Sequence, residues 1–442
     1  MRTLRISVLM ALCVLGAVLG GATPALADGA QAGADIQIAQ TLGDRELTII
    51  IRRVDEIPGP VHVDIVTHKG TPAGKLELKL GASSAEVALP DKPAFTPATL
   101  QVDRDGPWEL AVDDGRQVAT IPFVVPANVT PPWEKAAYGG FVVAGLLLVV
   151  SLLLAVFGRS GLALVPAGGM VAALAVAVTA AVLSSVIPQP APLGTQLDPT
   201  TGADPYQKTS IVDFSRPPVN MVARMESSEL VLQLTDGATG RPVDDLLVHD
   251  NALMHLIDVS PQGKMQHLHP IRVASGEYRA RVAASDAGTH AIAAEIARRG
   301  GGAQLLRTSV ANQNAGSGVS EGVADVVKSV QAAGLPSTLT ARFATADLQP
   351  WLGMAGHMIV AGPVTDSPAT APIWAHVHAM IPVTPGMPGK PDESVAAYGP
   401  DVTFTYTFPL PGRYLTWSQV ERDYGVVTVP SVIDVPATRG QG

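Results

Sequence analysis

Short runs that alternate between apolar and polar residues occupy the chain from about residue 33 to residue 126. Turn-forming residues separate these runs, and none of them has the spacing of an amphipathic helix. Strands of this length and spacing predict a small antiparallel β-sandwich over residues 28–127. The clearest runs are 35–38, 47–51, 61–66, 75–80 and 120–124.

Two long apolar stretches, 138–157 and 162–187, follow this region. Each is long enough to cross a bilayer, and neither contains Asp, Glu, Lys, Arg or His. They predict a hairpin of two transmembrane helices, and Arg159 between them favours a cytoplasmic turn. The hairpin is interpreted as an anchor, with the segments before and after it on the same outer side. Small residues suited to close helix contact recur on the second stretch: Gly169, Ala173, Ala177 and Ala181.

The first 27 residues have the pattern of a secretory signal peptide, with Arg2 and Arg5 before an apolar run and Ala27 at the cleavage position. The alternative is an uncleaved anchor helix, and in both cases the next segment is exported. The single cysteine, Cys13, lies in this run, so the mature chain is predicted to lack disulfides and thiolate metal sites.

Strand-like segments return after a linker at 188–205, over residues 206–310 and 320–436. From Ser275 onward the first segment aligns with the second without a gap, so that Gly288 meets Gly412. This self-similarity predicts a duplicated domain. The predicted fold class is therefore all-β, with immunoglobulin-like sandwiches, one before and two after a two-helix transmembrane hairpin.

Each copy contains a histidine followed by a His-x-His pair. Residues two apart on a strand point to the same side of the sheet, so the two imidazoles of a pair can bind one metal ion. Two metal sites are predicted, one in each copy. The ligands are His255, His267 and His269 in the first copy and His357, His376 and His378 in the second.

Methionines lie near these histidines in the sequence. Imidazole binds copper, zinc, nickel and iron, whereas thioether sulfur favours Cu(I). Copper is therefore the predicted metal, and zinc is the second choice because its structural sites usually recruit cysteine or a full tetrahedral set. The predicted sulfur ligands are Met254 and Met265 in the first copy and Met354 and Met380 in the second.

In the competing interpretation, the histidines form a structural hydrogen-bond network inherited with the fold. Four other histidines are not assigned to either site. His62 and His68 lack a third ligand nearby in the sequence, and His290 takes the place of Tyr414 in the other copy. His249 stays undecided.

The segments 347–357, 376–378 and 408–414 resemble secreted β-sandwich domains of bacterial envelope proteins, in the YtkA-like and CopC-like groups. The resemblance covers residues 206–436. It implies an immunoglobulin-like sandwich in the periplasm or outside the membrane, with a role in copper handling. It does not extend to the amino-terminal histidine ligand of CopC-like proteins, because cleavage after Ala27 leaves Asp28 first.

Composition narrows the function further. Hydrophobic residues make up 47% of the chain and charged residues only 16%, which indicates membrane segments. The net charge of -9 argues against nucleic-acid binding, and no catalytic motif is recognised, so no enzyme is predicted. The predicted function is copper capture or transfer at the outer face of the cell membrane, with another envelope protein as a partner. The alternative is a non-catalytic envelope scaffold that binds a protein.

Overall fold

The computed structural model describes residues 35–54, 56–125, 132–186, 214–381 and 395–438. The predicted signal peptide at 1–27 and linker at 188–205 lie outside these residues. In the described parts, strands form three β-sandwiches and two apolar helices lie between the first and the second, so the predicted fold class is confirmed.

The first sandwich contains eight strands: β1 (Ile36–Leu42), β2 (Arg45–Ile51), β3 (Gly59–Thr67), β4 (Gly74–Leu80), β5 (Ser83–Leu89), β6 (Ala94–Val102), β7 (Gly106–Asp113) and β8 (Val118–Val125). They form two antiparallel sheets, ordered β1-β2-β3-β6 and β5-β4-β7-β8. The alternation along β4 shows which side faces the core: Leu76 and Leu78 are buried, whereas Lys75 and Glu77, which alternate with them, are exposed.

The apolar hairpin consists of α1 (Pro132–Val156) and α2 (Ser160–Val186). Residues Trp133–Val156 and Ser160–Leu183 are long and apolar enough to cross a membrane. Helix α1 begins before the predicted residue 138, because the polar residues ahead of the apolar stretch are also helical and Glu134 lies in the first turn, where the helix dipole favours a carboxylate.

The two helices approach closely where both carry small residues. A Cβ atom added to Gly140 would lie 2.9 Å from the Cβ of Ala177 and 3.0 Å from the carbonyl oxygen of Ala173. Ala177 is fully buried. Two members of the predicted small-residue stripe therefore face α1, as the pattern of small residues every fourth position indicated.

The second sandwich contains β9 (Val219–Glu226), β10 (Glu229–Asp236), β11 (Leu246–Leu247), β12 (Met254–Val259), β13 (Met265–Leu268), β14 (Ile271–Ala274), β15 (Glu277–Arg281), β16 (Gly288–Arg298) and β17 (Gly302–Asn312). One sheet has the order β14-β15-β10-β9. The other has the order β11-β16-β12-β13, with β17 also paired to β16.

The third sandwich contains β18 (Asp325–Ser329), β19 (Pro336–Arg342), β20 (Gly356–Gly362), β21 (Ile373–Ala379), β22 (Asp401–Thr407), β23 (Gly412–Arg422) and β24 (Gly425–Val435), with a short 3-10 helix at Pro368–Thr370. Its sheets are ordered β18-β19-β22 and β21-β20-β23-β24.

The gapless register between the two copies is visible in the structure. Gly288 and Gly412 begin β16 and β23 at φ angles of 139° and 130°. His290 lies 2.8 Å from the carbonyl oxygen four residues before it, and the hydroxyl of Tyr414 donates to the carbonyl four residues before it at 2.9 Å. The two rings therefore occupy matched places at the start of matched strands.

The second and third sandwiches pack against each other through their matched sheets. The residues of β12, β16, β20 and β23 that point away from each sandwich's own core form one shared apolar cluster. Trp417 lies in it with 1% of its surface exposed, and its indole N–H donates to the carbonyl of Gly263 in the other sandwich at 3.0 Å. The cluster also contains Ile257, Val259, Met265, Ala291, Ala293, Ile359, Ala361 and Ala371.

The first sandwich contacts both of the others. The backbone N–H of Thr41 donates to the carbonyl of His269 at 2.7 Å, and the N–H of Lys69 donates to the carbonyl of Tyr424 at 2.7 Å. The sandwich that precedes the helical hairpin in the sequence therefore contacts both of the sandwiches that follow it.

Candidate metal centre

The histidines lie on the outward face of the sheets that meet between the second and third sandwiches. On β12, Met254 and Leu256 point into their own sandwich core, so His255 between them points toward the other sandwich. On β20, Met358 belongs to the third core, so His357 likewise points outward into the contact. The apolar alternation that builds each core thus also directs a histidine into the interface.

The structure gathers the six predicted histidines into two groups, here called site A (His255, His267, His269) and site B (His357, His376, His378). Within each group one ring nitrogen from every histidine lies within 4.8 Å of the others. In each site the three imidazoles come from two neighbouring strands, as the sequence spacing predicts. In site A these are β12 and β13, with His269 just after the end of β13, and in site B they are β20 and β21.

The two sites also touch each other. The ring centroid of His376 in site B lies 5.1 Å from that of His255 and 5.2 Å from that of His267 in site A. Trp351 packs beside both sites, with ring centroids 5.1 Å from His267 and 4.9 Å from His357. The six imidazoles form one continuous cluster across the domain interface.

A matched turn fixes the first histidine of each site. The Nε2 atom of His255 lies 3.1 Å from the carbonyl of His249, and that of His357 lies 3.0 Å from the carbonyl of Trp351. A carbonyl oxygen only accepts, so Nε2 carries the hydrogen in both rings. Neutral imidazole has one N–H, which leaves Nδ1 unprotonated. The residues after each carbonyl share a left-handed backbone: Asp250, Asn251, Leu352 and Gly353.

The second histidine of each site is held by the opposite sandwich. The Nδ1 of His376 lies 2.7 Å from Oε2 of Glu295, and the Nδ1 of His267 lies 2.9 Å from Oε1 of Gln419. The amide nitrogen of Gln419 donates to Thr428, so its oxygen is the atom that faces His267. Both contacts therefore place a hydrogen on Nδ1, so that in the neutral ring Nε2 is the unprotonated nitrogen.

When all four rings are neutral, two pairs of unprotonated nitrogens consequently face each other. Nδ1 of His255 lies 3.1 Å from Nε2 of His267, and Nδ1 of His357 lies 2.8 Å from Nε2 of His376. Adjacent imidazole ligands of one metal ion, each about 2.0 Å from it, are separated by about 3 Å. Facing lone pairs repel unless a cation lies between them, so the neutral rings are arranged as a metal site requires.

A proton could also lie between the facing nitrogens, but burial opposes it. Burial, reinforced by the neighbouring imidazoles, lowers the pKa of His255, His267 and His357 well below 6.5. The same two causes lower the pKa of His378. At neutral pH these rings are uncharged and available as ligands.

The third histidine of each site contacts a carboxylate. The Nδ1–H of His269 donates to Oε1 of Glu46 in the first sandwich at 2.5 Å. Its other nitrogen, Nε2, is buried and has no hydrogen-bond partner among the described residues. The Nε2 of His378 lies 3.5 Å from a carboxylate oxygen of Asp250. An unpaired buried nitrogen costs free energy, so His269 fits a ligand better than a satisfied core histidine.

The carboxylates beside the sites are held in the charged form. Burial acts to raise the pKa of Glu295, but hydrogen bonds from His249 and His376 outweigh it and lower that pKa far below 4.5. Burial likewise acts to raise the pKa of Glu46, and the charge and hydrogen bond of His269 lower it overall. Ionised acceptors of this kind fix the ring orientation of their histidines.

The four predicted methionine ligands have different surroundings from the histidines. Met254 packs in the core of the second sandwich, and Met265 belongs to the apolar cluster between the sandwiches. Met354 is buried in the turn that precedes His357, and Met380 is 68% exposed. Only the histidines occupy matched positions in the two copies, so the sulfur ligands stay a prediction with less support than the imidazoles.

Other histidines have separate roles in the described structure. Both ring nitrogens of His290 are bonded, to Asp258 and to a backbone carbonyl. His62 is exposed, whereas His68 is buried and lies 2.7 Å from Glu421 of the third sandwich. The carbonyl of His249 orients His255. Its counterpart in the other copy is the carbonyl of Trp351, and the sequence does not reveal this match because the two residue types differ.

The sequence interpretation did not include Glu295, Gln419 or Glu46. The first two could have been found, because the gapless register that matches Gly288 with Gly412 also matches Glu295 with Gln419. Glu46 carries no such signal, since it reaches His269 only through the docking of a separate sandwich.

Comparison with known proteins assigns no function to the chain. A family described as a domain of unknown function (DUF8832) matches residues 320–437, which correspond to the third sandwich. No curated protein matches the sequence.

Several solved structures are similar to parts of the chain at low identity. The FN1–FN3 domains of chicken CNTN1 are 10% identical, with 88% of this chain and 98% of that chain covered and a TM-score of 0.16. The Escherichia coli adhesin FdeC is also 10% identical, with coverage of 93% and 100% and a TM-score of 0.16. At these TM-scores, neither function nor domain arrangement follows from the likeness.

Proposed function

We propose that this protein is a membrane-anchored, extracytoplasmic metal-binding protein whose sites A and B capture or pass on copper. The observation that carries the proposal is the pair of facing ring nitrogens in each site, at 3.1 Å and 2.8 Å, which are both unprotonated when the rings are neutral. Such an arrangement is unfavourable without a cation and favourable with one.

Copper is preferred to zinc on ligand chemistry. Imidazole binds both metals, but the mature chain offers no cysteine, and structural zinc sites in proteins commonly use cysteine. The resemblance to YtkA-like and CopC-like domains points the same way. Zinc serves as the competing metal in the test below.

The two apolar helices support a membrane anchor. The contacts of the first sandwich with the other two support an arrangement with all three sandwiches on one side of the membrane. The signal-like start of the sequence and the single Arg159 in the turn favour the outer side.

The test measures bound metal on the full-length protein in detergent, because the first sandwich contributes Glu46 to site A. After incubation with Cu(II), or with Cu(I) under reducing conditions, and then desalting, the wild type should retain two copper ions per chain. His376→Asn combined with His378→Asn should retain one, and the matched His267→Asn with His269→Asn should also retain one. His62→Asn, at an exposed histidine outside both sites, should retain two.

A structural role for the histidines is the second candidate, and the close packing of all six rings with Trp351 favours it. It predicts that the asparagine pairs lower the melting temperature in the presence of a chelator, at about 1–3 kcal/mol for each group left unsatisfied. It also predicts that copper leaves the wild-type melting temperature unchanged, whereas a bound ligand would raise it. Retention of no copper by the wild type would reject the metal-binding proposal.

A further inference from the structure

The two sites share one design but differ in the side chain that orients the second histidine. Glu295 is paired with His255 across β12 and β16, and Gln419 is paired with His357 across β20 and β23. Each therefore lies next to the first histidine of its own sandwich, and each reaches across to the second histidine of the other sandwich, at 2.7 Å and 2.9 Å.

We infer that the exchange of Glu295 for Gln419 at the matched position makes the second histidine of site B a stronger ligand for divalent metal cations than the second histidine of site A. The inference rests on the metal-binding function proposed above. Glu295 and Gln419 are positioning residues, because each acts on the metal through a histidine.

The physical reason is the charge of the acceptor. A carboxylate that accepts the Nδ1–H of an imidazole increases the electron density available at Nε2, and a neutral amide does so much less. The shorter contact at Glu295 agrees with a charge-assisted hydrogen bond. His376 is therefore the stronger of the two second-position ligands.

Carboxylates also lie beside the third histidines. In site A, Glu46 accepts a hydrogen bond from His269 at 2.5 Å. In site B, Oδ2 of Asp250 lies 3.5 Å from Nε2 of His378, and neither of these two atoms has a hydrogen-bond partner among the described residues. Each site therefore has one carboxylate hydrogen-bonded to a ligand ring, and the difference between Glu295 and Gln419 concerns the second position alone.

The test requires proteins with a single site, because two cations this close repel each other and would make even equal sites bind unequally. Full-length protein in detergent with His267→Asn and His269→Asn retains only site B, and the protein with His376→Asn and His378→Asn retains only site A. Cu(II) affinity is measured for each by competition with a chelator of known strength.

Glu295→Gln should weaken Cu(II) binding about 10- to 100-fold in the site B protein, the usual size of effects from groups that orient a ligand. The same substitution should have a smaller effect in the site A protein. Gln419→Glu should tighten binding in the site A protein, a gain that structural damage would not produce. If Gln419→Glu does not fold, the two Glu295→Gln measurements decide.

An unchanged site A affinity after Gln419→Glu in a folded protein would overturn the inference while leaving the metal-binding function in place. An unchanged site B affinity after Glu295→Gln would do the same. Absence of bound copper from both single-site proteins and from the wild type would instead reject the proposed function itself.

Discussion

The contact between the second and third sandwiches differs in kind from the contact that the first sandwich makes with both of them. The former is an apolar cluster centred on Trp417 that continues directly into the histidines. The latter is bordered by charge pairs, such as Lys69 with Asp423 and Arg281 with Asp44, and by backbone hydrogen bonds. The contact between the repeats thus centres on apolar side chains, whereas the contact of the first sandwich combines buried residues, such as Ile271, with exposed ion pairs at its edge.

Removing the centre of the apolar contact should have the largest effect. Trp417→Ala deletes a side chain that is 1% exposed and its hydrogen bond to Gly263. Substitutions of this kind cost about 3–5 kcal/mol, because part of the cavity remains unfilled. Chemical denaturation followed by circular dichroism measures the loss, with Val432→Ala, at a 38% exposed position, as the control. A loss below about 1 kcal/mol would show that the repeats do not depend on this contact.

Acid should weaken the two contacts at different pH values. The folded-state pKa values of His255, His267 and His357 lie well below 6.5, so the unfolded chain binds more protons than the folded chain as the pH falls below 6.5. Stability of the repeat contact is therefore full above that pH and is lost below it, by up to about 1.4 kcal/mol per pH unit for each histidine.

Glu46, at the contact of the first sandwich, has a pKa lowered from 4.5, so its contribution is present above pH 4.5 and is lost only below it. In thermal melts of metal-free protein between pH 8 and pH 4, the loss of stability should begin near pH 6.5, the value for the histidines, and not near pH 4.5. Constant stability down to about pH 5 would contradict the burial of the three neutral histidines.

The smallest effect is expected at the edge of the first sandwich. Asp44→Asn removes an ion pair with Arg281 whose side chains are 52% and 41% exposed. Exposed pairs contribute about 0–1 kcal/mol and are screened by salt, so the change should be near the limit of detection at physiological ionic strength. A larger loss would indicate that the first sandwich is held as firmly as the two repeats.

The alternating pattern was sufficient to predict the sandwiches and the six histidines, because burial in a strand requires a period of two and the same period places His376 and His378 on one face. The same pattern could not predict that sites A and B touch. Both sites lie on sheet faces that point away from their own core, and the sequence of one copy does not specify which other domain packs on that face. The methionine prediction relied on nearness in sequence, which places Met254 beside His255 but on the opposite side of the strand.

The crossed hydrogen bonds from Glu295 and Gln419 restrict how the duplicated copies can diverge. After an ordinary duplication, one copy can accumulate substitutions while the other preserves the original activity. Here a substitution at Gln419 changes the environment of His267, which belongs to the other copy. A damaging substitution in either repeat therefore impairs the site of the other repeat as well. Selection therefore acts on the pair as a single heritable unit, and we expect substitutions at these two positions to be correlated among descendants of the same duplication.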